Sequence, residues 1–299
     1  YSSFARENRD LRLYITPTYY LYSATKFVDS KFATSTKPFK EIGLDAKLNK
    51  KSDKRRLVIL VIGETARADH MSLNGYDRNT NPYLEKEEIV SFDKMTSCGT
   101  DTALSVPCMF SLLDRSSYNH AKGKNMSNVL DIISHAGVSV LWLDNNSSSK
   151  SVADRITFKD YRSSKLNSIC NPECRDEGML TNLQGFIDEQ NNKDILIVMH
   201  SMGSHGPAYY KRYPKAFEVF LPACQTNQLN ECTDEEISNA YDNTILYTDY
   251  FLSKVITLLK NNSQDSDTAM FYISDHGESL GEGGLYLHGM PYFMAPEEQ

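Results

Sequence analysis

The run Leu57–Ile62 constrains the fold of this chain more than any other stretch of its sequence. Every residue in it is aliphatic, and no polar residue alternates with them. Such a run predicts a strand buried on both faces, which is typical of parallel sheets covered by helices on either side. Gly63 and Glu64 follow at once, so the sequence predicts a carboxylate at the carboxyl end of this strand.

Three more runs are largely apolar, and helical patterns separate them. The runs are Val138–Leu143, Ile195–Met199 and Ala269–Ile273. Helices are predicted at 127–136, at 176–190 and after Thr233, which forms a capping box with Glu236 ahead of a long amphipathic pattern. Alternating strands and helices predict an α/β fold with a mostly parallel central sheet and helices on both faces.

Residues 1–55 differ from the rest of the chain and are predicted to form a separate segment. A short amphipathic helix is predicted over 18–30, and we expect it to pack on the core rather than lie on a membrane surface. A linker follows over 33–55, and the main domain covers 56–299. Since the chain opens with Tyr1 and not Met, we expect it to be a fragment.

The composition argues against nucleic acid as a partner, and the cysteines indicate an oxidising compartment. The formal net charge of −7 and the pI of about 5.6 argue against nucleic acid as a partner. The six cysteines form three close pairs, namely Cys98 with Cys108, Cys170 with Cys174 and Cys224 with Cys232. Of the fifteen possible connectivities, local pairing is the most economical, and the alternative of a metal cluster lacks any C-x-x-C motif. Three local disulfides predict an oxidising compartment such as a bacterial periplasm.

Polar side chains follow all four predicted strands. They are Glu64, then Asn146 with Lys150, then His200 and His205, then Asp275, His276 and Glu278, with His288 beyond them. The carboxyl ends of parallel strands meet at one edge of a sheet, which is where α/β proteins build their sites. Carboxylate and imidazole are suitable ligands for zinc, so these residues predict a site for one or two zinc ions.

Several of these residues also have a purely structural interpretation. Glu64 could pair only with Arg67, His205 could order the Gly-Pro turn that follows it, and His288 could cap a loop. His200 directly ends a buried strand, and it is the next ligand candidate or a hydrogen-bonded core histidine. The convergence of several potential ligands on one edge favours a metal site over these separate explanations.

The loop between Cys98 and Cys108 is the predicted source of a nucleophile. It is rich in hydroxyl groups and runs into a helical pattern at Val106–Leu113, with Pro107 expected in the first turn. A helix N-terminus favours an anion, and a neighbouring metal ion lowers the pKa of a hydroxyl. The competing hydroxyl groups belong to Thr100, Thr102 and Ser105. The alternative is a helix cap inside a disulfide loop.

Several sequence blocks within residues 63–291 carry a resemblance to a known family. They are Gly63–His70, Cys98–Ala103 with Ser105–Ser111, Asp144–Ser147, Ser204–Tyr209, Ser274–Glu278 and Tyr286–Pro291. In these blocks the chain resembles the periplasmic catalytic domain of the phosphoethanolamine transferases that modify lipid A. That family includes the mobile colistin-resistance enzymes and belongs to the alkaline phosphatase and sulfatase superfamily, whose fold is therefore implied for 56–299.

The resemblance also implies a role for each residue that matches a motif. Thr102 is the implied nucleophile and would contact the zinc. The implied zinc ligands are Glu64, Asp275 and His276. His205 and His288 would bind phosphoryl oxygens or a second zinc ion. The residues implied to position the substrate are Asn146, Lys150 and, more weakly, Glu278.

The implied reaction has two steps and needs a membrane lipid. Thr102 attacks phosphatidylethanolamine, diacylglycerol leaves, and the phosphoethanolamine then passes to a phosphate of lipid A. The implied location is the bacterial inner membrane, with the catalytic domain in the periplasm and membrane helices ahead of this chain. Two alternatives are a phosphoesterase that releases the group to water and a non-catalytic module that binds zinc or a lipid headgroup. A sulfatase is disfavoured because Thr102 cannot be converted to formylglycine.

Overall fold

The computed structural model describes residues 18–32, 38–49 and 53–298. Parts of the predicted segment 1–55, namely 1–17, 33–37 and 50–52, lie outside the described residues, as does Gln299. The helices are α1 (Thr18–Phe32), α2 (Thr102–Met109), α3 (His120–Lys124), α4 (Val129–His135), α5 (Leu183–Glu189) and α6 (Asp234–Asn261). The strands are β1 (Arg55–Gly63), β2 (Ser139–Asp144), β3 (Thr157–Asp160), β4 (Ile195–His200), β5 (Ser266–Ser274), β6 (Ser279–Leu280) and β7 (Tyr286–Leu287).

Five strands form one parallel sheet in the order β3-β2-β4-β1-β5, and β6 and β7 form a separate antiparallel pair. The pairings Ile62↔His200, Asp144↔His200 and Gly63↔Ser274 align the carboxyl ends of β1, β2, β4 and β5. The fold class predicted from the sequence, a mostly parallel sheet between helices, is therefore confirmed.

The sheet has an apolar core on each face. On one face, alternate residues of β1 such as Ile59 and Val61 pack with α5 and with the apolar side of α6, which includes Phe251 and Val255. On the other face, Trp142 of β2 packs with residues of α2 and α4. Because each large apolar side chain that is fully buried stabilises the fold by about 1.5–3 kcal/mol, the two cores hold the sheet edge in a fixed shape.

Two predicted helices have different bounds in the structure. The pattern over 176–190 is broken at Asn182, whose φ of 59° is left-handed, so a 3₁₀ turn at Asp176–Leu180 precedes α5. The helix expected at Val106–Leu113 begins at Thr102 instead, because the Asp101 side chain accepts a hydrogen bond from the Leu104 amide and caps it there. Pro107 therefore lies in the last turn of α2 and not in the first, which corrects the prediction.

The segment at the start of the chain is also different from the expectation. Tyr20, Leu21, Tyr22, Phe27 and Val28 of α1 are all exposed, so the prediction that this helix packs on the core is wrong for these side chains. No helix in the part of the chain that the structure describes combines the length and apolarity needed to cross a membrane.

Part of the predicted linker is attached to the domain. Lys40 pairs with Met126 in a parallel bridge, and its carbonyl oxygen accepts a hydrogen bond from the Ser127 amide. The Ser127 hydroxyl in turn accepts from the Ile42 amide at 3.0 Å. Residues 38–49 thus contact the region that leads into α4.

Candidate active site

The carboxyl ends of β1 and β5 bring two carboxylates and an imidazole together. Glu64 follows β1, and Asp275 and His276 follow β5, which is the direct neighbour of β1. All three side chains are at most 2% exposed. His276 Nε2 lies 3.5 Å from Glu64 Oε1 and 3.5 Å from Asp275 Oδ2. The sheet topology therefore assembles residues that are more than 200 positions apart in sequence.

Thr102 is brought to this cluster by α2. It is the first residue of the helix, and its Oγ1 donates to Glu64 Oε2 at 3.0 Å and lies 3.4 Å from His276 Nε2. The hydroxyl of Ser105, one turn later, is engaged elsewhere and donates to the Asp275 carbonyl oxygen at 2.5 Å. These contacts distinguish Thr102 from Ser105, two of the three hydroxyls among which the sequence left the choice open.

Hydrogen bonds determine which oxygen of Glu64 faces the open side of the cluster. Oε2 accepts from Asn146 Nδ2 at 2.6 Å and from Thr102. Oε1 is buried and has no hydrogen-bond partner among the residues that the structure describes. A buried carboxylate oxygen without a donor is costly, so this atom is suited to a cation.

Hydrogen bonds also fix the orientation of Asp275 and His276. Asp275 Oδ1 accepts from the amides of Thr65 and His276, while Oδ2 is buried and without a partner in the described residues. His276 Nδ1 donates to the Gly277 carbonyl oxygen at 2.8 Å, which leaves Nε2 to face the cluster. Metal-bound histidines characteristically use their second nitrogen in this manner.

Four donor atoms at this cluster have the chemistry that zinc prefers. They are Glu64 Oε1, Thr102 Oγ1, Asp275 Oδ2 and His276 Nε2. Nε2 lies 3.4–3.5 Å from each of the three oxygens. A tetrahedral site with bonds of about 2.0–2.1 Å has ligand-to-ligand distances of roughly 3.3 Å, so the distances from Nε2 are compatible with zinc.

His205 and His288 form a second group beside these ligands. Their ring centroids are 5.3 Å apart, and that of His288 is 4.5 Å from the ring of His276. One ligand atom each from Glu64, His276 and His288 lie within 4.8 Å of one another. His288 Nδ1 contacts Glu278 Oε2 at 2.8 Å, which attaches Glu278 to the site.

The two histidines differ in charge because their surroundings differ. Burial lowers the pKa of His205. Burial also acts to lower the pKa of His288, but the charges of Glu278, Glu64 and Asp275, of which Glu278 is the largest, outweigh it and raise this pKa to about 9. In the metal-free chain at neutral pH, His288 is therefore positive and His205 is neutral. Such a pair can bind an anionic phosphoryl group with one ring and exchange a proton with the other.

The pKa values of the two carboxyls are moved in opposite directions. Burial acts to raise the pKa of Glu64, but the charges of His205, His276 and His288 outweigh it and lower the pKa to about 2. Burial, reinforced by the charge of Glu64, raises the pKa of Asp275 to about 6. Both carboxyls are therefore mainly ionised at neutral pH, which is the form that binds a cation.

One predicted site residue is not brought into the cluster. The Lys150 ammonium donates to the Ser147 hydroxyl at 2.6 Å and lines a cleft that also includes Pro107 of α2.

Two residues that contact Glu278 could not be identified from the sequence. The Tyr209 hydroxyl donates to Glu278 Oε1 at 2.7 Å, and Arg67 donates to the Glu278 carbonyl oxygen at 3.0 Å. Both residues lie inside the family blocks, but their partners are too distant in sequence to be inferred.

The structure has all six cysteines in the three local pairs. The bonds are Cys98–Cys108, Cys170–Cys174 and Cys224–Cys232. The first spans the start of α2 and so constrains the loop that carries Thr102. The second encloses Glu173, which pairs with Arg212, and Arg212 Nε donates to the His205 carbonyl oxygen at 2.7 Å. Two of the three disulfides are therefore connected to the site.

Comparisons with known proteins show the family of the chain. The sulfatase family model matches residues 56–299. Phosphatidylethanolamine transferase Mcr-1 of Escherichia coli is 48% identical over 311 aligned positions, which cover 100% of this chain and 58% of Mcr-1. The chain thus spans 58% of the length of that relative.

Two solved structures have the same fold. The integral membrane protein lipooligosaccharide phosphoethanolamine transferase A of Neisseria meningitidis has a TM-score of 0.86 and 43% identity, over 100% of this chain and 56% of that one. The C-terminal periplasmic domain of phosphoethanolamine transferase EptC of Campylobacter jejuni has a TM-score of 0.77 and 44% identity, over 87% and 80%. The chain therefore belongs to the sulfatase family, among the phosphoethanolamine transferases of the alkaline phosphatase and sulfatase superfamily.

Proposed function

We propose that the protein transfers phosphoethanolamine from phosphatidylethanolamine to a phosphate of lipid A, with zinc as cofactor and Thr102 as covalent carrier. The observation that carries this proposal is the contact of the Thr102 hydroxyl with Glu64 and His276, at 3.0 Å and 3.4 Å. A pure binding module has no need of a hydroxyl at the metal ligands, so this contact argues for covalent catalysis. The names of the relatives support phosphoethanolamine as the transferred group.

In the first half-reaction, Thr102 Oγ1 forms a bond to phosphorus and the bond from phosphorus to the diacylglycerol oxygen breaks. The hydroxyl proton is directed at Glu64 Oε2, and protonated His288 can neutralise the phosphoryl oxygens or give a proton to the leaving oxygen. Zinc, when bound, lowers the pKa of the threonine hydroxyl and withdraws charge from the reacting oxygens. Glu64, Thr102, Asp275 and His276 would hold it.

In the second half-reaction, an oxygen of a lipid A phosphate attacks the same phosphorus, the bond from phosphorus to Thr102 Oγ1 breaks, and Glu64 returns the proton to Oγ1. Neutral His205 would take the proton of the attacking oxygen, and Asn146 keeps Glu64 in position by its hydrogen bond. Lys150 and Glu278 would position the substrate, Glu278 through His288. Phosphoethanolamine carries an ammonium group, so its addition to a lipid A phosphate reduces the net negative charge of the cell surface. Resistance to colistin and other polymyxins is therefore part of the proposal.

The proposed location is the periplasmic side of the bacterial inner membrane. Three disulfides support an oxidising compartment. One similar structure is named as a periplasmic domain and another as an integral membrane protein. We propose that a membrane domain outside this chain holds the site near its lipid donor.

The test is the intact mass of the zinc-loaded protein after incubation with short-chain phosphatidylethanolamine. We expect a gain of one phosphoethanolamine that maps to Thr102, is lost in Thr102→Ala and is kept in Thr100→Ala, which removes a hydroxyl from the same loop. Donor turnover without this gain would indicate a phosphoesterase, a reaction consistent with the sulfatase match. No gain and no turnover in the protein with its membrane domain would overturn the proposal.

A further inference from the structure

His200 is a buried histidine at the same sheet edge that the proposed function does not use. It is the last residue of β4 and is fully buried. Its Nδ1 lies 3.1 Å from Asp144 Oδ2, which also accepts from Trp142 Nε1 at 3.0 Å. Since an ionised carboxylate only accepts hydrogen bonds, His200 Nδ1 carries a proton and donates it to Asp144. The other nitrogen, Nε2, therefore has a lone pair that is available to a ligand.

His200 Nε2 belongs to a set of three buried atoms with unused bonding capacity. Within the described part of the chain, neither it nor Glu64 Oε1 nor Asp275 Oδ2 has a hydrogen-bond partner. One ligand atom each from Glu64, His200 and Asp275 lie within 4.8 Å of one another. Three buried lone-pair donors so close together are unfavourable unless a cation or a hydrogen-bond donor lies among them.

The surroundings of His200 are those of a metal-binding histidine. A histidine that binds a metal donates its second ring N–H to a carboxylate or a carbonyl oxygen, which fixes the tautomer and the direction of the ring. His276, a proposed zinc ligand, does so toward the carbonyl oxygen of Gly277. His200 has the same arrangement toward Asp144, with a carboxylate in place of the carbonyl.

We propose that His200 is a fifth ligand of the metal centre, through Nε2 and beside the oxygens of Glu64 and Asp275, with Asp144 as the residue that positions its ring. This inference rests on the metal site of the proposed function and adds a ligand to it. A second imidazole makes the donor set richer in nitrogen. Nitrogen donors favour zinc over magnesium and calcium, which prefer oxygen, so His200 also contributes to the choice of metal.

The test compares His200→Phe with a matched histidine elsewhere in the chain. His70 is also largely buried, and its Nδ1 contacts Asp242 Oδ1 at 2.7 Å, so His70→Phe removes the same kind of pair away from the ligand atoms. Zinc affinity is measured by competition with a chelator, and the visible absorption of the cobalt-substituted protein reports coordination. In His200→Phe we expect zinc affinity to fall about 10- to 100-fold and the cobalt bands to change. His70→Phe should alter neither.

A zinc affinity of His200→Phe within about twofold of the wild type, together with unchanged cobalt bands, overturns this proposal alone. Wild-type protein that binds no zinc overturns it together with the metal site of the proposed function. If His200→Phe does not fold, His200→Gln keeps a polar side chain of similar length and is judged by the cobalt bands. Asp144→Asn should shift the affinity in the same direction by a smaller factor, because it releases the ring without removing it.

Discussion

Asn146 controls the orientation of Glu64 through one amide group. Its Nδ2 donates to Glu64 Oε2 at 2.6 Å and to the Ser201 carbonyl oxygen at 2.9 Å. In Asn146→Ala the carboxylate is free to turn, so we expect the zinc affinity to fall about 10- to 100-fold, as is usual when a partner of a ligand is lost. Competition with a chelator measures this change.

The matched control is Asn239→Ala on α6. Asn239 is also buried, and its Nδ2 donates to the Pro222 carbonyl oxygen at 2.7 Å, away from the strand ends. This variant should lose stability and keep the zinc affinity of the wild type. An Asn146→Ala protein that binds zinc as tightly as Asn239→Ala would show that Asn146 does not orient Glu64.

The charge of His288 depends on Glu278. Its carboxylate is the largest of the charges that overcome the effect of burial and raise the pKa of His288 to about 9. In metal-free Glu278→Gln we expect this pKa to fall, because only the charges of Glu64 and Asp275 then oppose burial. Proton NMR of the imidazole C–H signals during a pH titration measures the change.

Tyr209→Phe is the control for this titration. It removes the other hydrogen bond to Glu278, at Oε1, but leaves the charge in place. The pKa of His288 should therefore stay well above 6.5 in this variant. Equal values of that pKa in the Glu278→Gln variant and the wild type would be incompatible with the proposed cause.

At the scale of elements, the Cys98–Cys108 bond is predicted to act on reactivity as well as on stability. It encloses the start of α2, whereas Cys224–Cys232 closes a loop of similar length that does not include α2. Replacing either pair by serine should lower the free energy of unfolding by about 2–4 kcal/mol. Only the first replacement should also slow the labelling of Thr102, because only it loosens the helix that presents the hydroxyl.

Urea unfolding and the intact-mass assay, applied to both double variants, separate these two effects. Equal labelling rates in the two variants at matched folded fractions would mean that the first disulfide serves stability alone.

The elements that could be predicted are those whose signal is local. Four of the five strands of the parallel sheet have continuous apolar runs, so their position followed from the sequence. The edge strand β3 has only four residues and an exposed Phe158, so no apolar run revealed it. The break at Asn182 and the start of α2 depend on backbone conformation and on a side-chain cap, which hydrophobic periodicity does not report.

The same division applies to the candidate site. The residues of the site could be proposed from the sequence because they follow strand ends and lie in family motifs. The hydrogen bonds that orient them could not be predicted. Asn146, which binds one oxygen of Glu64, and Asp144, which binds one nitrogen of His200, are distant from these partners in sequence. The orientation of a ligand is a property of the packed sheet.

At the scale of the whole molecule, the ion pairs of Arg67 predict how the free energy of unfolding changes at acidic pH. Its largely buried guanidinium contacts Asp69 at 2.7 Å and Glu282 at 2.5 Å. Burial acts to raise the pKa of both carboxyls, but the hydrogen bonds from Arg67 outweigh it and lower each pKa below its ordinary value of 3.8 or 4.5. Groups with a lowered folded-state pKa stabilise the fold above the unfolded-state pKa, and this contribution is lost as the pH falls through the folded-state value.

We therefore expect the free energy of unfolding of the metal-free protein to decrease below about pH 4.5. The double variant Asp69→Asn with Glu282→Gln should have a weaker dependence on pH in that range. At neutral pH it should lose only about 1 kcal/mol, since both carboxylates are partly exposed and screened by solvent. Urea unfolding at several pH values tests this, and an unchanged slope in the double variant would contradict it.

The order of strands in the sheet has a consequence for the synthesis of the protein. The ribosome makes β1 before the other four strands of the sheet. Its two neighbours, β4 and β5, are the last two strands of the sheet to be made. Glu64 and Asp275 are separated by about 210 residues, and at about 5–20 residues per second a ribosome needs roughly 10 to 40 s to cover that distance. β1 has neither partner until β4 is made, roughly 130 residues after it, and it lacks β5 until the end of that interval. The nascent chain therefore exposes an unpaired apolar strand that is prone to aggregation.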